Sequence, residues 1–235
     1  MAITQEAPRM SAAMQTTLTA AEVTPAEQRV IFHNLSWQAY QQILGALGES
    51  RSSRLTYDGG SLEITMPLEE HEVAVRLLEL FIRILVEEMG LKIKTMGSTT
   101  LNRADLEKSA EPDNCYYIQN QSKVAGKKVN LNEDPPPDLI VEVDITHTDI
   151  NKLNLYASLG VPEFWRYNGQ ILRIYQLQNH QYAEVEKSPT FSWLLKDRLY
   201  QFLQESQLDE VQASKAFRAW VQQQVQHLAK SQDPS

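Results

Sequence analysis

The sequence has few of the features that mark secreted or membrane proteins. It contains a single cysteine, Cys115, so an intramolecular disulfide is impossible, and a reducing cytoplasmic location is expected. No run approaches the roughly 20 apolar residues that a membrane helix needs. The first 26 residues lack the basic start and apolar run of a signal peptide. These absences predict a cytoplasmic protein that does not span a membrane.

Positive charge is also scarce. The 235 residues include 22 Lys and Arg against 30 Asp and Glu, which gives a formal net charge of −8. Proteins that bind nucleic-acid phosphates normally carry an excess of Lys and Arg. Any such binding by this chain therefore depends on a local basic face, for which the candidates are Lys92, Lys94, Lys123, Lys127 and Lys128.

Acidic residues, in contrast, are concentrated in two short segments, Glu111-Pro112-Asp113 and the stretch from Pro137 to Asp144. If the second segment is a strand, its alternate side chains share one face, so Asp138, Glu142 and Asp144 lie together. Crowded carboxylates repel one another unless a cation or a proton lies between them. Since Mg2+ and Mn2+ prefer oxygen ligands, the pattern indicates an acidic metal site.

The individual acids also have plainer interpretations. An aspartate that follows a proline is most often a turn or cap residue, which we favour for Asp138 but not for Asp113. Glu142 differs because it lies inside an apolar run, where a lone carboxylate is costly unless it is paired or metal-bound. Asp144 is either a second ligand or the partner of Lys152, and Lys152 by itself is most simply a solvated lysine on a helix.

Apolar spacing and turn residues predict the remaining elements and an α/β (α+β) fold around a mixed sheet. We expect a mobile arm over residues 1–26, one domain over 27–205, and a C-terminal helix and tail over 206–235. The predicted strands span 29–32, 54–57, 61–66, 91–101, 113–118, 138–144, 163–167, 171–177 and 182–186, and the predicted helices span 37–47, 69–89, 149–160 and 208–228.

Taken in order, several motifs resemble the PD-(D/E)xK nuclease superfamily and, within it, the Uma2-type restriction endonucleases. The resemblance covers roughly residues 28 to 205. It rests on Leu55–Ile64, Pro112-Asp113, Pro137–Val143, Lys152-(x)3-Tyr156 and Gly160–Tyr167. It implies a restriction-endonuclease-like mixed central sheet flanked by helices, with an N-terminal hairpin and a C-terminal helix. It also implies an endonuclease that uses Mg2+ or Mn2+ to hydrolyse DNA.

The resemblance also implies a set of site residues. Asp113 and Glu142 would be catalytic and would hold the metal together with the Val143 carbonyl oxygen. Glu70 and His71 match an auxiliary Glu–His pair at the start of a helix.

The chain departs from the superfamily pattern at one position. The pattern places a lysine two residues after the second acid, but Asp144 stands there in this sequence. The resemblance therefore makes Lys152, on the following helix, the substitute catalytic lysine, with Asp144 as an auxiliary residue.

Two other functions remain open. The chain could be a nuclease scaffold that binds DNA or a protein without catalysis, or another hydrolase that uses Asp113 and Glu142 as an acid–base pair. For an endonuclease we expect a homodimer, since cutting both strands of a duplex commonly needs two sites.

Overall fold

The computed structural model describes residues 28–48, 51–66, 69–145 and 150–231. The side chains of Gln28, Glu69 and Glu70 lie outside this description. The predicted mobile arm over 1–26, the start of the predicted 149–160 helix and the end of the tail lie outside it as well.

Eleven strands and six α-helices are found in the described residues. The strands are β1 Gln28–Phe32, β2 Arg54–Asp58, β3 Ser61–Met66, β4 Lys94–Thr95, β5 Leu101–Arg103, β6 Lys108–Ala110, β7 Asn114–Tyr117, β8 Leu139–Val143, β9 Glu163–Tyr167, β10 Leu172–Gln178 and β11 Gln181–Val185. The helices are α1 Trp37–Leu47, α2 Glu69–Glu88, α3 Gln121–Val124, α4 Lys152–Ser158, α5 Lys196–Ser206 and α6 Glu210–Ser231.

The strands form two sheets. One is antiparallel, with five strands in the order β1-β3-β2-β6-β5, and the other has six strands in the order β11-β10-β9-β8-β7-β4. The second sheet is mixed because β8 and β9 run parallel. Parallel neighbours need a crossover connection, and α4 lies in the connection between these two strands. The expectation of a mixed sheet flanked by helices is confirmed.

Strand β8 is buried on both faces, which places it at the centre of the molecule. Leu139 and Val141 belong to a core shared with α2, α5 and α6. Ile140, on the opposite face, belongs to a second core with Leu155 and Tyr156 of α4. The second core also includes Leu101 and Ala110 of the antiparallel sheet, so any polar side chain on β8 is enclosed by the fold.

Turn chemistry explains the hairpins. Gly59 and Gly60 form the two-residue connection between β2 and β3, and both have positive φ angles, of 50° and 99°. This geometry suits a type I′ hairpin turn, and the predicted hairpin is confirmed. Asn179 and His180 make the equivalent turn between β10 and β11 without a glycine, at φ angles of 49° and 64°.

The predicted strand over 91–101 is wrong. Lys94–Thr95 pairs with β7 in the mixed sheet, whereas Leu101–Arg103 pairs with β6 in the other sheet. Between them Gly97 adopts a φ of 59°, which turns the chain from one sheet to the other. The sequence reasoning also missed β6 and α5. Helix α5 has no side-chain hydrogen bond at its N-cap Leu195, so the usual start signal is absent.

Among the described residues, no helix is both long and apolar enough to cross a bilayer.

An aromatic cluster attaches α6 to the rest of the protein. The Phe217 ring of α6 lies 4.6 Å from the Phe81 ring of α2 and 5.0 Å from the Phe202 ring of α5, measured between centroids. We predict that Phe217→Ala lowers the free energy of unfolding by about 3 to 5 kcal/mol, because it leaves a cavity among buried rings. Urea denaturation measures the loss. The control is Leu208→Ala, since Leu208 is 94% exposed and should contribute almost nothing. Equal losses would contradict the packing.

Candidate active site

The two predicted metal-binding acids meet where β7 and β8 pair. Asn114 of β7 lies opposite Val141 of β8, and the strands are antiparallel. Continuing this register by one residue places Asp113 opposite Glu142. The backbone N–H of Val143 donates a hydrogen bond to Asp113 Oδ2 at 2.6 Å. The fold therefore places both carboxylates at one junction of the mixed sheet.

Asp113 contacts two further elements of the fold. The Arg54 guanidinium, from β2 of the other sheet, forms an ion pair with Asp113 Oδ1. His71 Nε2, from the beginning of α2, lies 3.0 Å from Asp113 Oδ2. Asp113 is therefore a buried junction between the two sheets and α2, and not a solvated turn residue.

Glu142 is held from helix α4. Lys152 Nζ lies 2.8 Å from Glu142 Oε2, and the Tyr156 hydroxyl donates a hydrogen bond to Glu142 Oε1. Lys152 and Tyr156 are four residues apart, so they project from the same side of the helix. Burial raises the pKa of Glu142, while the Lys152 ammonium acts to lower it. The Asn151 side chain caps α4 by accepting a hydrogen bond from the N–H of Asn154. The helix therefore begins at Lys152, beside Glu142.

Asp144 completes the ion-pair network. Lys152 Nζ lies 2.6 Å from Asp144 Oδ1, and Arg166 Nε donates to Asp144 Oδ2 at 2.8 Å. Burial alone would raise the pKa of Asp144, but the two cations outweigh it and the pKa lies below its usual value. For Lys152, burial acts to lower the pKa, yet Glu142 and Asp144 raise it. The two carboxylates therefore favour the charged form of the amine that lies between them.

The expected site residues line one narrow polar pocket. Its lining includes His71, Asp113, Glu142, Val143, Asp144 and Lys152. Of the predicted set, the side chain of Glu70 lies outside the described residues. The roles assigned to these residues stay predictions.

Asp138 lies apart from this pocket. Its carboxylate accepts hydrogen bonds from the backbone N–H groups of Ile118 and Asn120, at 2.7 and 2.9 Å. It therefore holds the loop after β7, in agreement with the turn or cap interpretation favoured from sequence.

Sequence reasoning did not identify the arginines of the site. Arg54 and Arg166 each neutralise one acid, and no local periodicity links either arginine to its carboxylate. The only sequence signal available for them was that Arg166 falls within the Gly160–Tyr167 motif.

Glu111, in the same acidic segment as Asp113, holds neighbouring chain segments in place. It accepts hydrogen bonds from the Leu55 N–H at 2.9 Å and the Thr100 hydroxyl at 2.6 Å.

The donor set suits a hard divalent cation, but the side chains are arranged around protein cations. Carboxylate and carbonyl oxygens from Asp113, Glu142 and Val143 are the ligand types that Mg2+ and Mn2+ prefer. Within the described ranges, however, no three His, Cys, Asp or Glu side chains are grouped as metal ligands. Arginine, lysine, histidine and tyrosine donors contact the carboxylates instead. The residues fit the metal chemically, and a bound ion would have to share or replace these donors.

A comparison with solved structures identifies a protein of similar fold. One solved structure, entitled a "putative nuclease belonging to DUF820 from Anabaena variabilis ATCC 29413", matches with a TM-score of 0.50 and 16% sequence identity. The match covers 71% of this chain and 98% of that chain. At this identity the likeness establishes a shared nuclease-like fold.

The family is established by sequence. The model of the Uma2 family, described as "Putative restriction endonuclease", matches residues 37–224. Because the match spans most of the chain, the protein belongs to the Uma2 family, and the resemblance seen in the sequence motifs is confirmed. No curated protein gives a significant match.

The buried lysine should contribute strongly to stability. We predict that Lys152→Met lowers the free energy of unfolding by about 3 to 5 kcal/mol, because it leaves two buried carboxylates without their shared cation. The matched control is Lys196→Met. Lys196 also contacts two carboxylates, at 2.7 and 2.9 Å, but both of these glutamates are exposed. A surface pair of this kind contributes about 1 kcal/mol or less. Denaturant unfolding in the presence of chelator measures both, and losses of similar size would contradict the buried network.

Proposed function

We propose that the protein is an endonuclease that uses a divalent metal ion, Mg2+ or Mn2+, to hydrolyse phosphodiester bonds in DNA. The observation that carries the proposal is the convergence of Asp113, Glu142 and Lys152 on one pocket at the β7–β8 junction. Two carboxylate groups beside a lysine amine form a suitable set for phosphate hydrolysis. Membership of the Uma2 family supports the same reaction class.

Each residue has a distinct task in this proposal. Asp113, Glu142 and the Val143 carbonyl would hold the ion, which would polarise the scissile phosphate and lower the pKa of the attacking water. The Lys152 amine orients that water and offsets the negative charge that develops on the phosphate. Asp144 holds the amine from the side opposite Glu142.

The Tyr156 hydroxyl and the Lys152 ammonium each contact one oxygen of Glu142. A metal ion held by Glu142 would therefore share the carboxylate with these two donors.

A second candidate function has its own supporting observation. Asp113, Glu142 and Asp144 each already contact a cationic protein group, so the described network is neutralised by protein side chains alone. A scaffold that binds DNA or a protein without catalysis would have this property. Isothermal titration calorimetry separates the two functions. The endonuclease binds Mg2+ or Mn2+ in this pocket, whereas a binding scaffold needs no metal and its association with DNA survives a chelator.

The cytoplasmic location and the homodimer expected from the sequence stay predictions. DNA as the substrate belongs to this proposal.

Cleavage should depend on both acids. We predict that cleavage of DNA, assayed on both plasmid and single-stranded circular DNA, requires Mg2+ or Mn2+ and falls at least about 100-fold in Asp113→Asn and in Glu142→Gln, since each substitution removes a ligand of the electrophile. Circular dichroism checks that both variants remain folded. The control is Asp105→Asn, an exposed aspartate that pairs with Arg103 away from the pocket. Wild-type activity in Glu142→Gln would refute the assignment.

Lys152 should act on turnover more than on metal affinity. We predict that Lys152→Ala lowers kcat by about 100-fold or more while the dissociation constant for Mn2+ changes much less, because the amine acts mainly on charge that develops in the transition state. Calorimetry with Mn2+ and cleavage at saturating metal are measured on the same sample, at a temperature where the variant is folded. Lost metal affinity with unchanged turnover would mean that the lysine serves metal binding instead.

A further inference from the structure

A large groove adjoins the acidic pocket. It has a volume of about 1150 Å3 and is lined by α2, by the end of α5 and by the turn between β9 and β10. Asp144 lines both the groove and the acidic pocket, so the two spaces meet at this residue. A ligand in the groove would lie beside Asp144, which pairs with Lys152.

Two arginines face each other at this groove. Arg166 of β9 and Arg173 of β10 are paired residues in the antiparallel register, and both line the groove. Like charges directly opposite each other in a sheet are destabilising. Arg166 is partly neutralised through its Nε contact with Asp144, whereas Arg173 has a looser contact of 3.7 Å with Glu184. An anion held by both guanidinium groups would remove the remaining repulsion.

The rest of the groove suits the other parts of a nucleotide. Val73, Ile145 and Ile171 are 44%, 37% and 48% exposed, so the groove presents apolar surface to solvent. Amide side chains from Asn168 and Gln170 also line it and can donate or accept hydrogen bonds. Cationic, amide and apolar groups therefore occur together along one groove.

We propose that this groove binds one single strand of nucleic acid, with Arg166 and Arg173 on its phosphates and the aliphatic residues against its bases. The inference rests on the proposed nuclease function and names the form of its substrate. The groove is comparable with small-molecule pockets of about 300 to 1000 Å3, so it holds a few nucleotides and is too small for a double helix. The net charge of −8 agrees with this choice, because duplex binding through many phosphates needs a broad basic face.

The test is a binding measurement without divalent metal, so that it does not depend on cleavage. Fluorescence anisotropy in chelator compares a labelled single-stranded oligonucleotide with its duplex at low salt. We expect the single strand to bind at least about tenfold more tightly. Arg173→Glu and Arg166→Gln should each weaken it about five- to tenfold and lower the slope of log affinity against log salt by about 0.7, the value for one phosphate contact on a single strand. The matched control is Arg103→Gln, which removes another carboxylate-paired arginine outside the groove and should have little effect.

The outcomes separate this inference from the proposed function. Tighter binding of the duplex would overturn the groove assignment even if Mg2+-dependent cleavage occurs. The assignment would also fail if the single strand bound wild type, Arg173→Glu and Arg166→Gln with equal affinity. Groove-dependent binding without cleavage in any metal would leave the assignment in place and refute the endonuclease.

Discussion

Burial of several carboxylates at the centre of the mixed sheet is the constraint on which the site depends. Asp113, Glu142 and Asp144 lie around β8, which is enclosed on both faces, and buried charges are stable only when they are paired and hydrogen-bonded. The cations come from separate parts of the fold, with Arg54 on the antiparallel sheet and Lys152 on α4. Neutralising the acids therefore requires the two sheets and the crossover helix to be assembled together. The same ion pairs between carboxylates and cations therefore form the site and join the elements of the tertiary fold.

This constraint bears on the proposed role of Lys152 as the substitute catalytic lysine. The motif resemblance expects a lysine two residues after Glu142, where this chain has Asp144 instead. The crossover helix returns past the end of the strand, so an amine on its first turn reaches both Glu142 and Asp144. The acids at the strand end are therefore paired with Lys152 and, for Asp144, also with Arg166 of β9. These ion pairs support the proposed substitution, which depends on the direction of the helix after the strand and not on the local spacing of residues.

Sequence predicted those parts of the fold that depend on neighbouring residues. The bounds of α1 were found from its cap residues, those of β9 from the Asn168-Gly169 turn signal, and the β2–β3 hairpin from Gly59 and Gly60, because these signals are local. Glu142 was recognised for the same reason, as an acid within an apolar run. The 91–101 segment failed because its two halves pair with different sheets, which no periodicity encodes. The arginine partners were missed because each ion pair joins strands that only the tertiary fold brings together.

Electrostatics link the pocket and the groove. Beyond a Debye length of about 8 Å at physiological salt, a chain with an excess of acids offers little attraction for a polyanion, so phosphate recognition has to be local. The Arg166–Arg173 pair is such a local feature, and it lies beside Asp144, which also borders the acidic pocket. Facing arginines and buried carboxylates both oppose folding, and a sequence selected for stability alone would replace them with apolar residues. Their occurrence side by side at one sheet end supports the proposed binding surface, since proteins depart from the rules of stable packing chiefly at functional sites.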